Sequence, residues 1–145
     1  MRTSHGLLTV ESTRLPIVDI AYHTVVGADD LITDFREAFA EYGRLARRGQ
    51  PLAYLLDMRD FDPLLAPAAQ RRHGAEVYRE YVDILRPVSV GEARVITSPV
   101  TRGIVTAYDW LTGANKWPCR QVASLAEGEA WLRERLAQAG PRRVP

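Results

Sequence analysis

The chain has a single cysteine, Cys119, in 145 residues, which excludes an internal disulfide. Its three histidines, His5, His23 and His73, stand too far apart for a zinc-binding spacing, and Cys119 has no Cys or His cluster around it. No metal is expected. Lysine plus arginine exceeds aspartate plus glutamate by only one, so the positive field that nucleic acid requires is missing. There is no Gly-x-Gly-x-x-Gly and no Gly-x-x-x-x-Gly-Lys-Ser/Thr, which leaves nucleotide binding without a sequence signal, and no cofactor is expected. The apolar stretch opening at Leu7 is broken by Glu11, too early for a signal-peptide core or a membrane span. A reducing, cytoplasmic location is the expectation. Lys116 is the only lysine among 19 basic residues, a bias that a GC-rich genome explains as readily as selection for bidentate anion contacts.

What is present is an orderly alternation of elements. Leu7 to Glu11 and Ile17 to Val25 are β-prone runs spaced for an antiparallel hairpin. Asp29 and Asp30 offer caps to a helix whose apolar residues, from Leu31 to Ala46, follow helical spacing until Gly49 and Pro51. Leu52 to Leu56 is continuously apolar, as a parallel strand covered on both faces should be, and Asp57 ends it. A helix from Ala68 to Arg86 follows, stopped by Pro87. Ala93 to Thr97 is the next buried strand, and Ser98 caps a helix with Pro99 at its first position and Val100, Ile104, Val105, Tyr108 and Leu111 as its stripe. Gln121 to Ala123 is a short last strand, and Ser124-Leu125-Ala126-Glu127 is a capping box opening the final helix. The order β-β-α-β-α-β-α-β-α predicts one α/β domain over residues 1–140, a hairpin followed by parallel strands with helical crossovers, and a tail over 141–145.

The richest stretch runs from Glu92 to Gly103, where a buried strand enters a helix carrying Arg102 in its first turn. A guanidinium there opposes the helix dipole, so a carboxylate or a bound anion should compensate it. Ligands of open parallel sheets settle beyond the carboxyl ends of strands, which selects Asp57 to Asp60 and Thr97 to Arg102. In one arrangement Arg102, the Ser98 hydroxyl and the free N–H groups form an anion pocket that Arg59 or Arg71 completes. In the other, Arg102 pairs with Asp57 or Asp60 and Ser98 is only a cap. Trp110 lies off the stripe, free to cover a pocket, meet a second subunit or sit under the loop from Gly113 to Trp117. Ser98, His73 and Asp57 could supply a hydrolytic triad, but no Gly-x-Ser-x-Gly elbow surrounds Ser98.

The strand ending in Asp57, the helix with Arg71-Arg72, the passage Ile96-Thr97-Ser98-Pro99-Val100-Thr101-Arg102, the pair Trp110-Leu111 and the closing run from Ser124 to Leu132 resemble the SpoIIAA-like group of STAS/Sec14-type domains. The likeness covers Leu52 to Leu136 and extends to the element order of the whole chain. Antagonists of anti-sigma factors with this fold would carry a phosphorylatable hydroxyl just after the strand that here ends at Asp57. Met58-Arg59-Asp60-Phe61-Asp62-Pro63 has none. The resemblance therefore implies a non-enzymatic branch of the family, with a small ligand, a lipid or a protein as partner.

Two functions remain in view. The first is a non-catalytic regulatory or binding module that engages a protein or a small anionic or amphipathic ligand through Asp57, Arg59, Arg71, Ser98, Arg102 and Trp110. The second is a small hydrolase or transferase using Asp57, His73 and Ser98. The exposed edge of the first hairpin also suggests a homodimer.

Overall fold

The computed structural model describes residues 1–23, 28–62, 68–112 and 116–140, with the side chains of 28–31, 68–71 and 112 outside that description. The chain runs β1 (Leu8–Glu11), β2 (Ile17–Tyr22), α1 (Ala28–Ala46), β3 (Leu52–Asp57), α2 (Ala68–Leu85), β4 (Ser89–Val95), α3 (Pro99–Thr112), β5 (Cys119–Val122) and α4 (Leu125–Ala139). The strands form one mixed sheet in the order β1-β2-β3-β4-β5, antiparallel between β1 and β2 and parallel thereafter. The expected element order and the hairpin-then-parallel arrangement are both present.

Strand alternation builds two cores. Leu52, Tyr54 and Leu56 of β3 project to one face, where Phe39 and Tyr42 of α1, Val77 and Tyr78 of α2 and Val105 of α3 meet them. Ala53 and Leu55 project to the other, beneath Leu132 of α4. The continuous apolar run of β3 follows from this double coverage. All three crossover helices share one face, and α4 alone covers the other. Because strand order is also sequential, no reversal of winding opens a crevice at the strand ends. Space opens instead between the sheet and the helical layer.

Local signals account for the element ends. Gly49 takes a φ of +73° just past α1, a conformation L side chains rarely adopt. Ser98 Oγ accepts the Thr101 N–H at 3.4 Å, and Ser124 Oγ accepts the Glu127 N–H at 3.2 Å. The Glu127 carboxylate reaches back to the N–H of Ala123 at 3.2 Å, one residue before the cap.

Several expectations need correction. Strand β4 covers Ser89–Val95 rather than Ala93 to Thr97, because Ser89, Glu92 and Arg94, whose polarity masks the strand, are buried with partners. Strand β5 begins two residues earlier than expected, at Cys119. Strand β2 stops at Tyr22, and Val25 lies outside the described residues. Helix α1 begins at Ala28, so Asp29 and Asp30 fall inside its first turn rather than ahead of it. On α3, Ile104, Val105 and Tyr108 turn inward as expected, whereas Val100 and Leu111 are exposed. The tail at 141–145 lies outside the described residues.

Asp34 on α1 fastens the N-terminal segment in a way the sequence did not announce. Its fully buried carboxylate accepts the Thr3 hydroxyl at 2.6 Å, the Leu7 N–H at 2.8 Å and the His5 N–H at 3.0 Å.

Candidate functional site

The six residues selected from sequence do not converge. Asp57 ends β3 in phase with Leu55, toward the α4 side, and Arg59 grips it through Nε–Oδ1 at 2.8 Å and Nη2–Oδ2 at 2.7 Å. The Arg59 bonds outweigh partial burial and hold the Asp57 carboxyl below its usual range. Arg102 is exposed in the first turn of α3 and makes no ion pair among the described residues. Ser98 serves the cap already described, and the Arg71 side chain lies outside the described residues. Trp110 is 81% exposed, and residues 113–115 of the loop expected over it lie outside the described residues. His73 is exposed on α2, and no hydrogen bond joins it to Ser98 or Asp57 among the described residues.

A shallow concavity touches Asp57 together with Asp19 and Leu125, but a more enclosed, mostly apolar one lies between the sheet and helices α1 to α3. It is a cavity of about 110 Å³ walled by side chains such as Tyr22, Phe35, Phe39, Leu56, Ile104 and Tyr108. Its strand residues come from β2, β3 and β4, with Met58 and Phe61 just past β3, so it occupies the carboxyl half of the parallel sheet. Register explains its polar end: Tyr54 lies beside Glu92 and Leu56 beside Arg94, which puts both charges on the face of the helical layer.

That polar end is a closed network. Arg94, 3% exposed, gives Nη2 to Glu92 Oε2 and Nη1 to Asp109 Oδ2, both at 2.7 Å. Lys116 Nζ lies 3.1 Å from the same Glu92 Oε2, and the Cys119 thiol donates to it at 3.1 Å. The ammonium also sits 5.2 Å from the ring centre of Tyr78, 5.8 Å from Tyr108 and 5.3 Å from Trp117. Such a cage stabilises a cation removed from water.

Protonation states follow from this packing. Burial alone would raise the Glu92 carboxyl, but Arg94 and Lys116 bring it down to about 2. Burial opposes the Arg94 charge, yet Glu92 and Asp109 hold the guanidinium well above its ordinary value. Burial and then Glu92 push the Cys119 thiol up, so it stays protonated at neutral pH. Trp117 is 93% buried, its ring tilted against those of Tyr54 and Tyr78, and its indole Nε1 has no hydrogen-bond partner among the described residues.

Sequence reasoning missed this site because it began β4 at Ala93, leaving Glu92 outside the strand. The available signal was the alternation Glu92-Ala93-Arg94-Val95 in a strand otherwise read as buried, together with the sole lysine beside a tryptophan. Among the described residues no group of three or more His, Cys, Asp or Glu side chains could hold a metal, and no helix is long and apolar enough to cross a membrane. Comparison with protein-family models, curated proteins and solved structures returns no match.

Proposed function

We propose that the chain is a STAS-like, non-catalytic binding module whose ligand is a small amphipathic molecule held in the cavity between the sheet and helices α1 to α3. The observation that carries this reading is the cavity itself: about 110 Å³ of space with aromatic and aliphatic walls and polar groups at one end. For scale, an engineered apolar cavity of roughly 150 Å³ takes up benzene. The element order and the mixed sheet agree with what the family resemblance implies.

Binding is favoured over catalysis because acid–base chemistry needs a group that exchanges its proton near neutrality. Glu92 is held at about 2, while Arg94 and Cys119 are shifted the other way, so none of the three meets that need. Ser98, His73 and Asp57 share no hydrogen bond that would align a nucleophile with a base, among the described residues.

The test is a thermal-shift titration with toluene against the wild type and Ile104→Trp, which fills the cavity from α3. A saturable rise in the wild type, lost in a variant with unchanged circular dichroism, supports the reading. Absence of a saturable rise, or the same rise in the folded variant, contradicts it.

A further inference from the structure

We infer that the ligand of this cavity is uncharged and presents an amide-type edge, a carbonyl oxygen beside an N–H, to Trp117 and Glu92. The inference builds on the proposed binding function and specifies its chemical class.

Charge balance comes first. The cavity's polar end holds two cations, Arg94 and Lys116, and two carboxylates, Glu92 and Asp109, joined by contacts of 2.7 to 3.1 Å. Both cations already have carboxylate partners. A charged ligand would be stripped of water against aromatic walls with no uncompensated counter-charge among the described residues to receive it, a large cost. An uncharged polar group avoids that cost.

Hydrogen-bonding capacity comes second. The indole Nε1 of Trp117, a residue that lines the cavity, is a donor and nothing else, and it is buried without an acceptor among the described residues. A buried donor without a partner is a costly feature that a ligand oxygen would relieve. On the acceptor side, the donors Arg94, Lys116 and Cys119 all converge on Oε2 of Glu92. Oε1 takes none of these three contacts. Both residues line the same cavity, and their backbones run side by side there, since the Glu92 N–H donates to the carbonyl of Pro118, the residue after Trp117, at 2.9 Å. One donor and one acceptor at the end of an apolar cavity match a carbonyl beside an N–H on an apolar body.

Three probes of one ring size separate the possibilities: toluene, benzamide and benzoate, titrated into wild-type protein and followed through the indole N–H resonances of Trp110, Trp117 and Trp131. Benzamide is expected to bind about tenfold more tightly than toluene and benzoate and to move the Trp117 indole proton downfield, whereas toluene leaves that proton without an acceptor. Trp117→Phe, which keeps a ring but removes the N–H, should abolish the benzamide advantage while retaining toluene binding. The wild-type probe series decides the matter even if that variant does not fold. If toluene binds but benzamide gains nothing over it, or benzoate binds best, the inference is overturned and the cavity remains a ligand site. If none of the three binds, the proposed function fails with it.

Discussion

At the scale of single residues, Glu92 carries more of the structure than any group the sequence singled out. It is buried, it serves two cations and a thiol through one oxygen, and those cations hold its carboxyl at about 2. An unfolded glutamate titrates near 4.3, so the folded form binds its proton less readily than the unfolded form. Its contribution is therefore complete above about pH 4.3 and is lost as pH falls toward 2. Glu92→Gln should lower stability by about 3 kcal/mol at pH 7, since it leaves Lys116 and one side of Arg94 uncompensated, and the difference from wild type should shrink by pH 3. Urea unfolding at the two pH values checks both statements. An acid effect of equal size in the variant would mean that other carboxylates carry it. Asp57 and Arg102 were the more legible residues because strand ends and helix starts are marked in sequence, whereas the partner of a charge is a tertiary fact. The guanidinium that Asp57 meets is Arg59, two residues away, and no pattern distinguished it from Arg102.

At the scale of elements, helix and strand order were readable because period and punctuation agree: apolar spacing in α1, a continuous run in β3, Ser-Pro and Ser-x-x-Glu starts for α3 and α4. The start of β4 was missed because polar residues are buried there, and that of β5 because Cys119 and Arg120 are exposed. One close approach and one buried carboxylate were also hidden. A Cβ placed on Gly128 of α4 would lie 2.8 Å from Leu55 Cδ1, 3.2 Å from Val122 Cγ2 and 3.3 Å from Ala93 Cβ. Helix α4 thus rests directly on the sheet, and Gly128→Val should cost about 2 kcal/mol by lifting it, read as a lowered denaturant midpoint. At the opposite layer, burial raises the Asp34 carboxyl but the bonds from Thr3, His5 and Leu7 bring it below its ordinary value. Asp34 therefore stabilises the fold above the unfolded carboxyl range, near 3.9, and ceases to do so as pH falls below it. Asp34→Ala should cost on the order of 3 kcal/mol and strip hydrogen-exchange protection from Leu7 and Leu8 before the rest of the sheet. Uniform loss of protection would argue against a local clasp.

At the scale of the whole molecule, the α/β class and the adjacency of parallel strands β3 and β4 followed from the alternation of elements, but the position of the binding space did not. The strand-end rule points to crevices created by a reversal of winding, and this sheet winds in one direction with its crossovers on one face. The cavity lies between the sheet and the helical layer, where Phe35, Phe39, Ile104 and Tyr108 fail to close over the strands. Such a cavity is invisible to periodicity because its lining residues read as ordinary core. Whether this space takes a ligand can be read from intermolecular nuclear Overhauser effects between bound toluene and the protein. A ligand in the cavity gives contacts to the methyl groups of Leu56, Ile104 and Val105 and to the Trp117 indole. Contacts confined to the exposed Val100 and Trp110 surface would contradict that placement.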